Sequence, residues 1–241
     1  VPEHLVNDLK DARPHGRMGW HKWVTENKQW KHFMRGYLAS ISYVDHQVGR
    51  LLDALDSSGQ RENTIVVLWT DHGFHIGEKE NWEKFALWDQ TTRVPLFIHA
   101  PGISKDGVKT RHPVTLTDLY PTLCDLAGLP VPEQCDGKSL VPQLKNPDKK
   151  KKSLSLTSFQ FRGDSAPSHA VSDHRYRLIH YPDGFEELYD LQNDTHEFHN
   201  LSEDPNFSKI KKRLSLGIPA KAAAIVGIPW NSAYNLTRHS K

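Results

Sequence analysis

Between Thr70 and Lys84 the chain gathers groups that can bind a cation or manage charge: Asp71, His72, His75, Glu78, Lys79, Glu80, Glu83 and Lys84. A carboxylate beside an imidazole offers an oxygen and a nitrogen ligand to one divalent ion. Gly73 follows at once and lets the backbone turn sharply. The same triplet also suits a polar turn closed by an Asx-type hydrogen bond. What favours chemistry is the context. Thr64-Ile-Val-Val-Leu-Trp-Thr70 is a near-continuous apolar, β-branched run, the pattern of a strand buried on both faces. In open α/β sheets, ligands gather beyond the carboxyl ends of the strands. Asp71 and His72 therefore read as half of a metal site, and no obvious second half is present in the sequence.

The elements that must hold this loop follow from periodicity. From Lys31 to Ser57, Tyr37, Ile41, Val44, Val48, Leu51, Leu52 and Leu55 recur at three- and four-residue steps, predicting an amphipathic helix that ends near Gly59. Asp45 lies near its apolar face and is expected to hydrogen-bond a neighbouring loop. Val94–Ala100 is a second apolar strand, preceded by Arg93, which is expected to pair with a carboxylate. Thr117–Ala127 reads as a helix stopped by Gly128 and Pro130. Helix, strand, loop, strand is the rhythm of an α/β sheet. Beyond a charged junction at Asn146–Lys152, the segments 154–161, 170–181 and 187–191 read as short strands, and Pro205–Leu216 as a helix. Residues 1–30 read as loop or short helical turns, and Val226–Trp230 as a segment that can tuck against the core. The expected division is an α/β portion over 1–148 and a small α+β subdomain over 149–241, an antiparallel sheet with a helix.

Composition bounds the function. The 241 residues carry 31 basic and 29 acidic side chains, a net charge of +2. That balance, with a single isolated lysine run, gives no ground for a nucleic-acid partner. No apolar run reaches the length of a membrane-spanning helix, and no membrane insertion is expected. Mean hydropathy is −0.63, that of a rather polar soluble chain. Cys124 and Cys135 are the two cysteines; spacing leaves a disulfide and two free thiols equally open. Asn193, Asn200, Asn206 and Asn235 each begin an Asn-x-Ser/Thr triplet.

Several blocks carry a resemblance when taken together and in order. Thr70-Asp-His-Gly-Phe-His-Ile-Gly-Glu78 is followed by Trp82-Glu-Lys84 and by Arg93-Val-Pro-Leu-Phe-Ile-His-Ala-Pro-Gly102. Tyr37–Leu52 precedes them; Leu119–Leu129, Asp136–Leu140, Glu187–Leu191 and Asn200-Leu201 come after. This chain resembles the C-terminal half of a type I, formylglycine-dependent sulfatase, nearest the iduronate-2-sulfatase-like branch of the alkaline phosphatase superfamily. The resemblance runs from about Tyr37 to Leu201.

The resemblance implies a sulfuric ester hydrolase acting on a sulfated saccharide such as a glycosaminoglycan. It implies Asp71 and His72 as ligands of a divalent cation, calcium in this family, and Lys84 as a catalytic group that contacts sulfate. His75, on the same loop, is a weaker candidate for substrate binding. Trp82 and Trp88 are expected to pack the loop rather than to stack on a sugar. The family's nucleophile motif, Cys or Ser followed by x-Pro-x-Arg, matches neither Cys124 nor Cys135. The formylglycine, the remaining metal ligands and the rest of the sulfate pocket are accordingly expected upstream of Val1, in an N-terminal half of the same product or an associated chain. Ser172 stands where this branch usually carries an arginine. Family members are exported, to periplasm or exterior, or lysosomal. Alternatives are a phosphodiesterase or phosphonate monoester hydrolase of the same superfamily, and a non-catalytic or processed fragment.

Overall fold

The computed structural model describes residues 11–13, 18–147, 153–161 and 164–221. The junction expected near 148, the Val226–Trp230 segment and the Asn235 triplet lie outside the described residues. In chain order come α1 (Met18–Glu26), α2 (Trp30–Ser57), β1 (Val66–Trp69), β2 (His75–Ile76), β3 (Trp82–Glu83), α3 (Asp89–Thr92) and β4 (Leu96–His99). Then follow α4 (Leu119–Leu126), α5 (Val141–Lys145), β5 (Ser155–Phe159), β6 (Ser168–Ser172), β7 (Tyr176–His180), β8 (Glu186–Asp190) and α6 (Ser208–Ser215).

β1 pairs antiparallel with β4, Val66 opposite His99 and Trp69 opposite Leu96. The expectation of a strand buried on both faces is corrected here. Leu68 and Trp69 are 40% and 45% exposed, because among the described residues β4 is the only strand beside β1. The helix expected from residue 31 forms as α2, yet none of its residues is buried; Leu38, Ile41, Val44 and Leu51 are all more than half or half exposed. Asp45 on this helix is likewise exposed and makes no hydrogen bond among the described residues, contrary to expectation. Arg93 does pair, with Asp89 at 2.8 Å. Cys124 and Cys135 are free thiols.

The second half is an antiparallel sheet in the order β5-β6-β7-β8. The span 170–181, read as one strand, is a hairpin. Asp173 Oδ1 accepts from the backbone N–H groups of Arg175 and Tyr176, at 2.7 and 2.6 Å, and so turns the chain between β6 and β7. Alternation then gives the sheet two apolar faces. Val171, Leu178 and Leu188 pack beneath Leu214 of α6. Ala170, Ile179 and Tyr189 face the other way and meet Ala86, Leu87 and Trp88 from the loop between β3 and α3. The loop that follows the candidate ligands is thus part of the same core as the sheet.

Polar groups in that core fasten loop to sheet. Glu187 is fully buried and accepts four hydrogen bonds: from Trp88 Nε1 (2.7 Å), Tyr189 OH (2.7 Å), Tyr181 OH (3.0 Å) and the backbone N–H of Arg13 (2.7 Å). Burial, reinforced by the Glu187 charge, pushes both phenols above the ordinary tyrosine range, so they stay donors. Arg177 of β7 is buried too and grips the Leu87 carbonyl through Nε (2.9 Å) and Nη2 (2.8 Å). Its Nη1 donates to Ser172 Oγ at 2.8 Å, and its Nη2 also reaches Thr92 Oγ1. Lys79 donates to the Glu197 carbonyl while its ammonium lies over the rings of Trp88 and Tyr189, at 5.2 and 5.3 Å. Glu197 Oε2 accepts from the Asp89 N–H at 2.8 Å.

Replacing Glu187 with alanine would strand several buried donors, so unfolding in urea should show a loss of roughly 3 kcal/mol or more. Glu186→Ala, which removes only a partly exposed carboxylate, should cost under about 1 kcal/mol. Glu197 yields a pH signature. Burial, with Asp89 adding to it and Arg177 opposing, pushes its carboxyl up to about 7. A carboxyl raised in the fold favours its protonated form, so this contribution is complete below its unfolded value and is lost as pH rises through about 7. Stability of the wild type should therefore fall by up to about 3 kcal/mol between roughly pH 4.5 and pH 7 relative to Glu197→Gln, whose profile lacks this component.

Candidate active site

At the carboxyl end of β1 the chain leaves the sheet, and Thr70 Oγ1 donates to the His72 carbonyl at 3.1 Å. Asp71 projects outward, its side chain 73% exposed. The His72 ring is half-buried, with Nδ1 2.7 Å from the Gly73 carbonyl oxygen. A carbonyl can only accept, so Nδ1 donates, and Nε2 is the ring nitrogen turned toward Asp71, 3.6 Å from its Oδ1. A histidine whose second nitrogen donates to a backbone carbonyl is the usual arrangement of a metal ligand, because it fixes tautomer and ring orientation. The two donors thus fit one cation as a partial ligand set. Among the described residues, no cluster of three or more His, Cys, Asp or Glu completes it.

Gly73 serves this geometry differently from the sequence expectation. Its φ lies outside the left-handed region, so it is not required for a sharp turn. It is required for close approach: a Cβ there would sit 2.0 Å from the Gln90 carbonyl oxygen. That approach lets Gly73 N donate to Thr91 O (2.8 Å) and Phe74 N to Gln90 O (3.0 Å), tying the ligand turn to α3.

Lys84 follows β3 and is exposed, with no ion pair among the described residues. In the β2–β3 hairpin His75 lies opposite Glu83 and Ile76 opposite Trp82. That register returns the chain at Lys84 to the level of Phe74, two residues from His72. Asp71, His72 and Lys84 are therefore carried to one end of the hairpin. Three residues in this short stretch without glycine's freedom adopt positive φ, namely Lys79 (49°), Glu80 (52°) and Glu83 (71°). Such strained backbone clusters at functional loops, where surrounding packing holds it in place.

His75 sits elsewhere. Alternation points it inward, where it is 0% exposed and meets the Trp88 ring edge-on at 5.6 Å. Its Nδ1 is 3.7 Å from Glu78 Oε2, beyond hydrogen-bond length. A ring so enclosed packs the hairpin and presents no face to a ligand. Trp82 and Trp88 are buried, as packing residues should be. The groups that sequence reasoning passed over are Arg177 and Glu187. Both hold the loop from a distant part of the chain, at a separation that no local spacing signals.

Comparison with known proteins identifies the family of the chain. The family model "Sulfatase" matches residues 11–129, and "N-sulphoglucosamine sulphohydrolase, C-terminal" matches 77–223. A sulfatase of Formosa agariphila is 35% identical over 98% of this chain and 46% of its own length. A Delta 4,5-hexuronate-2-O-sulfatase of Bacteroides thetaiotaomicron is 36% identical over 78% of this chain and 40% of its own. The solved structure of a 2-O GAG sulfatase superposes with a TM-score of 0.72 at 33% identity, covering 88% of this chain and 47% of that one. The chain spans less than half the length of these relatives. Matched over most of its residues, and resembling the C-terminal half of those proteins, it belongs to the sulfatase family.

Proposed function

We propose that this chain is the C-terminal part of a sulfuric ester hydrolase that acts on a sulfated saccharide. The observation that carries the proposal is the pairing of Asp71 with a His72 whose Nδ1 is engaged by the Gly73 carbonyl and whose Nε2 is turned toward Asp71 Oδ1. These two residues would hold the divalent cation, calcium by family expectation, with further ligands from outside this chain. When bound, the cation supplies positive charge that orients and neutralises the sulfate. Lys84 presents its ammonium at the same end of the hairpin and stabilises negative charge that develops as the S–O bond breaks. The buried His75 keeps the hairpin packed from beneath. The nucleophile belongs to the part of the enzyme beyond this chain.

The partner in this reading is the N-terminal half of the sulfatase, within the same product or as an associated chain. Two observations support it. The relatives are more than twice as long as the span matched here, and the apolar side chains of α2, β1 and β4 stand open, Phe97 being 60% exposed. Surface of that kind marks an interface. No helix among the described residues is long and apolar enough to cross a membrane. Export or a lysosomal address is the compartment we infer, on the strength of the family resemblance.

In the enzyme that contains both halves, Asp71→Ala should abolish turnover and lower metal stoichiometry as measured by elemental analysis. Unchanged metal content with full activity would remove Asp71 from the ligand set. An aryl sulfate should be turned over in preference to an aryl phosphodiester; the reverse preference would replace the sulfatase reading with a phosphodiesterase. Lys84→Ala should lose about 100-fold or more in kcat/KM while the melting temperature stays within a few degrees. Wild-type kinetics in that variant would exclude Lys84 from the reaction.

A further inference from the structure

A single residue beyond the four-stranded sheet touches the loop of the candidate site at two points. Glu197 lies between β8 and α6, is 1% exposed and holds a positive φ of 57°. Its backbone carbonyl accepts from Lys79 Nζ, at the tip of the β2–β3 hairpin. Its side chain takes the other point: Oε2 accepts from the N–H of Asp89, the first residue of α3, at 2.8 Å. α3 in turn holds the ligand turn. The Gln90 and Thr91 carbonyls accept from Phe74 N (3.0 Å) and Gly73 N (2.8 Å), directly after His72. There is no slack at Gly73, where even a Cβ would strike the Gln90 carbonyl. A shift of α3 away from residue 197 is therefore passed to Gly73 and to its neighbour His72.

The surroundings of the carboxyl decide when this hold is firm. Oε1 makes no hydrogen bond among the described residues. β7 faces it with Arg177, whose Nε lies 3.6 Å away, but that guanidinium is already spent on the Leu87 carbonyl, Ser172 and Thr92. α3 faces it with the Asp89 carboxylate, itself 3.6 Å from Arg177 Nη1 and 2.8 Å from Arg93 Nε. The hairpin brings the Lys79 ammonium. The sheet side adds the phenols of Tyr181 and Tyr189, near enough to feel the Glu197 charge, and Glu187, to which both phenols donate. On its own segment, His196 and His199 are exposed, and the Asp194 carboxylate is spent on the Phe198 and His199 amides. Neutral, the Glu197 carboxyl keeps the Asp89 N–H and leaves Arg177 to Asp89. Ionised, it brings a second carboxylate to one arginine, with an oxygen that only water can solvate. Water enters this buried contact by parting Asp89 from residue 197. Burial, with Asp89 in support and against the pull of Arg177, keeps the carboxyl neutral up to about pH 7.

We propose that Glu197 is a positioning residue for the candidate site, holding the Asp71–His72 turn in place through Asp89 and α3; its consequence for turnover rests on the sulfatase reading above. The neutral carboxyl keeps the turn seated, and ionisation slackens it. Efficiency is then lost on the alkaline side through a group that touches neither the ester nor the cation.

The test uses the enzyme containing both halves, with Glu197→Gln as a neutral side chain that keeps an acceptor for Asp89 N–H. Hydrogen exchange at the Gly73 and Phe74 amides, resolved by mass spectrometry, reads the turn directly. Wild type and Glu197→Gln should exchange alike at about pH 5.5, and at about pH 8.5 the wild type should exchange about tenfold faster. Glu197→Ala should exchange fast at every pH. Turnover of an aryl sulfate should follow: the ratio of kcat/KM, wild type over Glu197→Gln, should fall about tenfold with a midpoint of about 7, while circular dichroism shows both proteins folded. Equal exchange in wild type and Glu197→Gln at both pH values, or an activity ratio that does not change with pH, would overturn the positioning role whatever becomes of Glu197→Ala. Absence of turnover with every sulfate ester would overturn the sulfatase reading; faster alkaline exchange in that same protein would still support the hold of Glu197 on the turn.

Discussion

The Glu187 carboxylate is the constraint on which the rest of the structure depends. A fully buried carboxylate is costly unless hydrogen bonds replace its hydration. Here four donors do so, and they come from places far apart in the chain: Arg13, Trp88, Tyr181 and Tyr189. Each donor is buried or half-buried and would be costly to leave unmatched, so the network is formed as a whole or not at all. Satisfying it brings the segment at residue 13 and the loop at residue 88 onto the four-stranded sheet. Arg177 adds a second fastening one strand over, through the Leu87 carbonyl.

With residues 87–92 fixed in that way, the strain nearer the candidate site becomes intelligible. The hairpin between β2 and β3 holds three side-chain-bearing residues at positive φ, a conformation that an isolated loop would relax. Lys79 is kept there by the Glu197 carbonyl and two aromatic faces, and Gly73 is pinned against Gln90. The outward edge, where Asp71 and Lys84 meet solvent, is thus mounted on an inward face with little freedom. Preorganisation of this kind lets a charged site act without reorganising during the reaction.

The other side of the molecule has the opposite character. α2 and the β1–β4 pair have the composition of core elements and the exposure of surface ones. The candidate pair Asp71 and His72 shows the same incompleteness, two possible ligand types without a third among the described residues. Both facts describe a chain that spans less than half the length of its relatives.

Much of this was legible in the sequence. The period of α2, the β-branched run of β1 and the abrupt polar turn at Asp71-His72-Gly73 are local patterns, and local patterns specify elements and candidate ligands directly. The sequence blocks also sufficed to mark a sulfatase resemblance. Reading missed where information is non-local. The span 170–181 carries continuous strand composition, and only the Asp173 side chain, bonding back to two amides, turns it into a hairpin. His75 has the chemistry of a ligand and is an inward residue because the hairpin register places it opposite Glu83 and beneath Trp88. Glu187, Glu197 and Arg177 look like surface charges in one dimension. Folding encloses them together, and the cost of burying charge then makes each one dependent on the others. The sequence by itself determined the elements and the candidate ligand types; the tertiary structure decided which polar groups face water and which must find partners, because desolvation is a property of packing and not of neighbours along the chain.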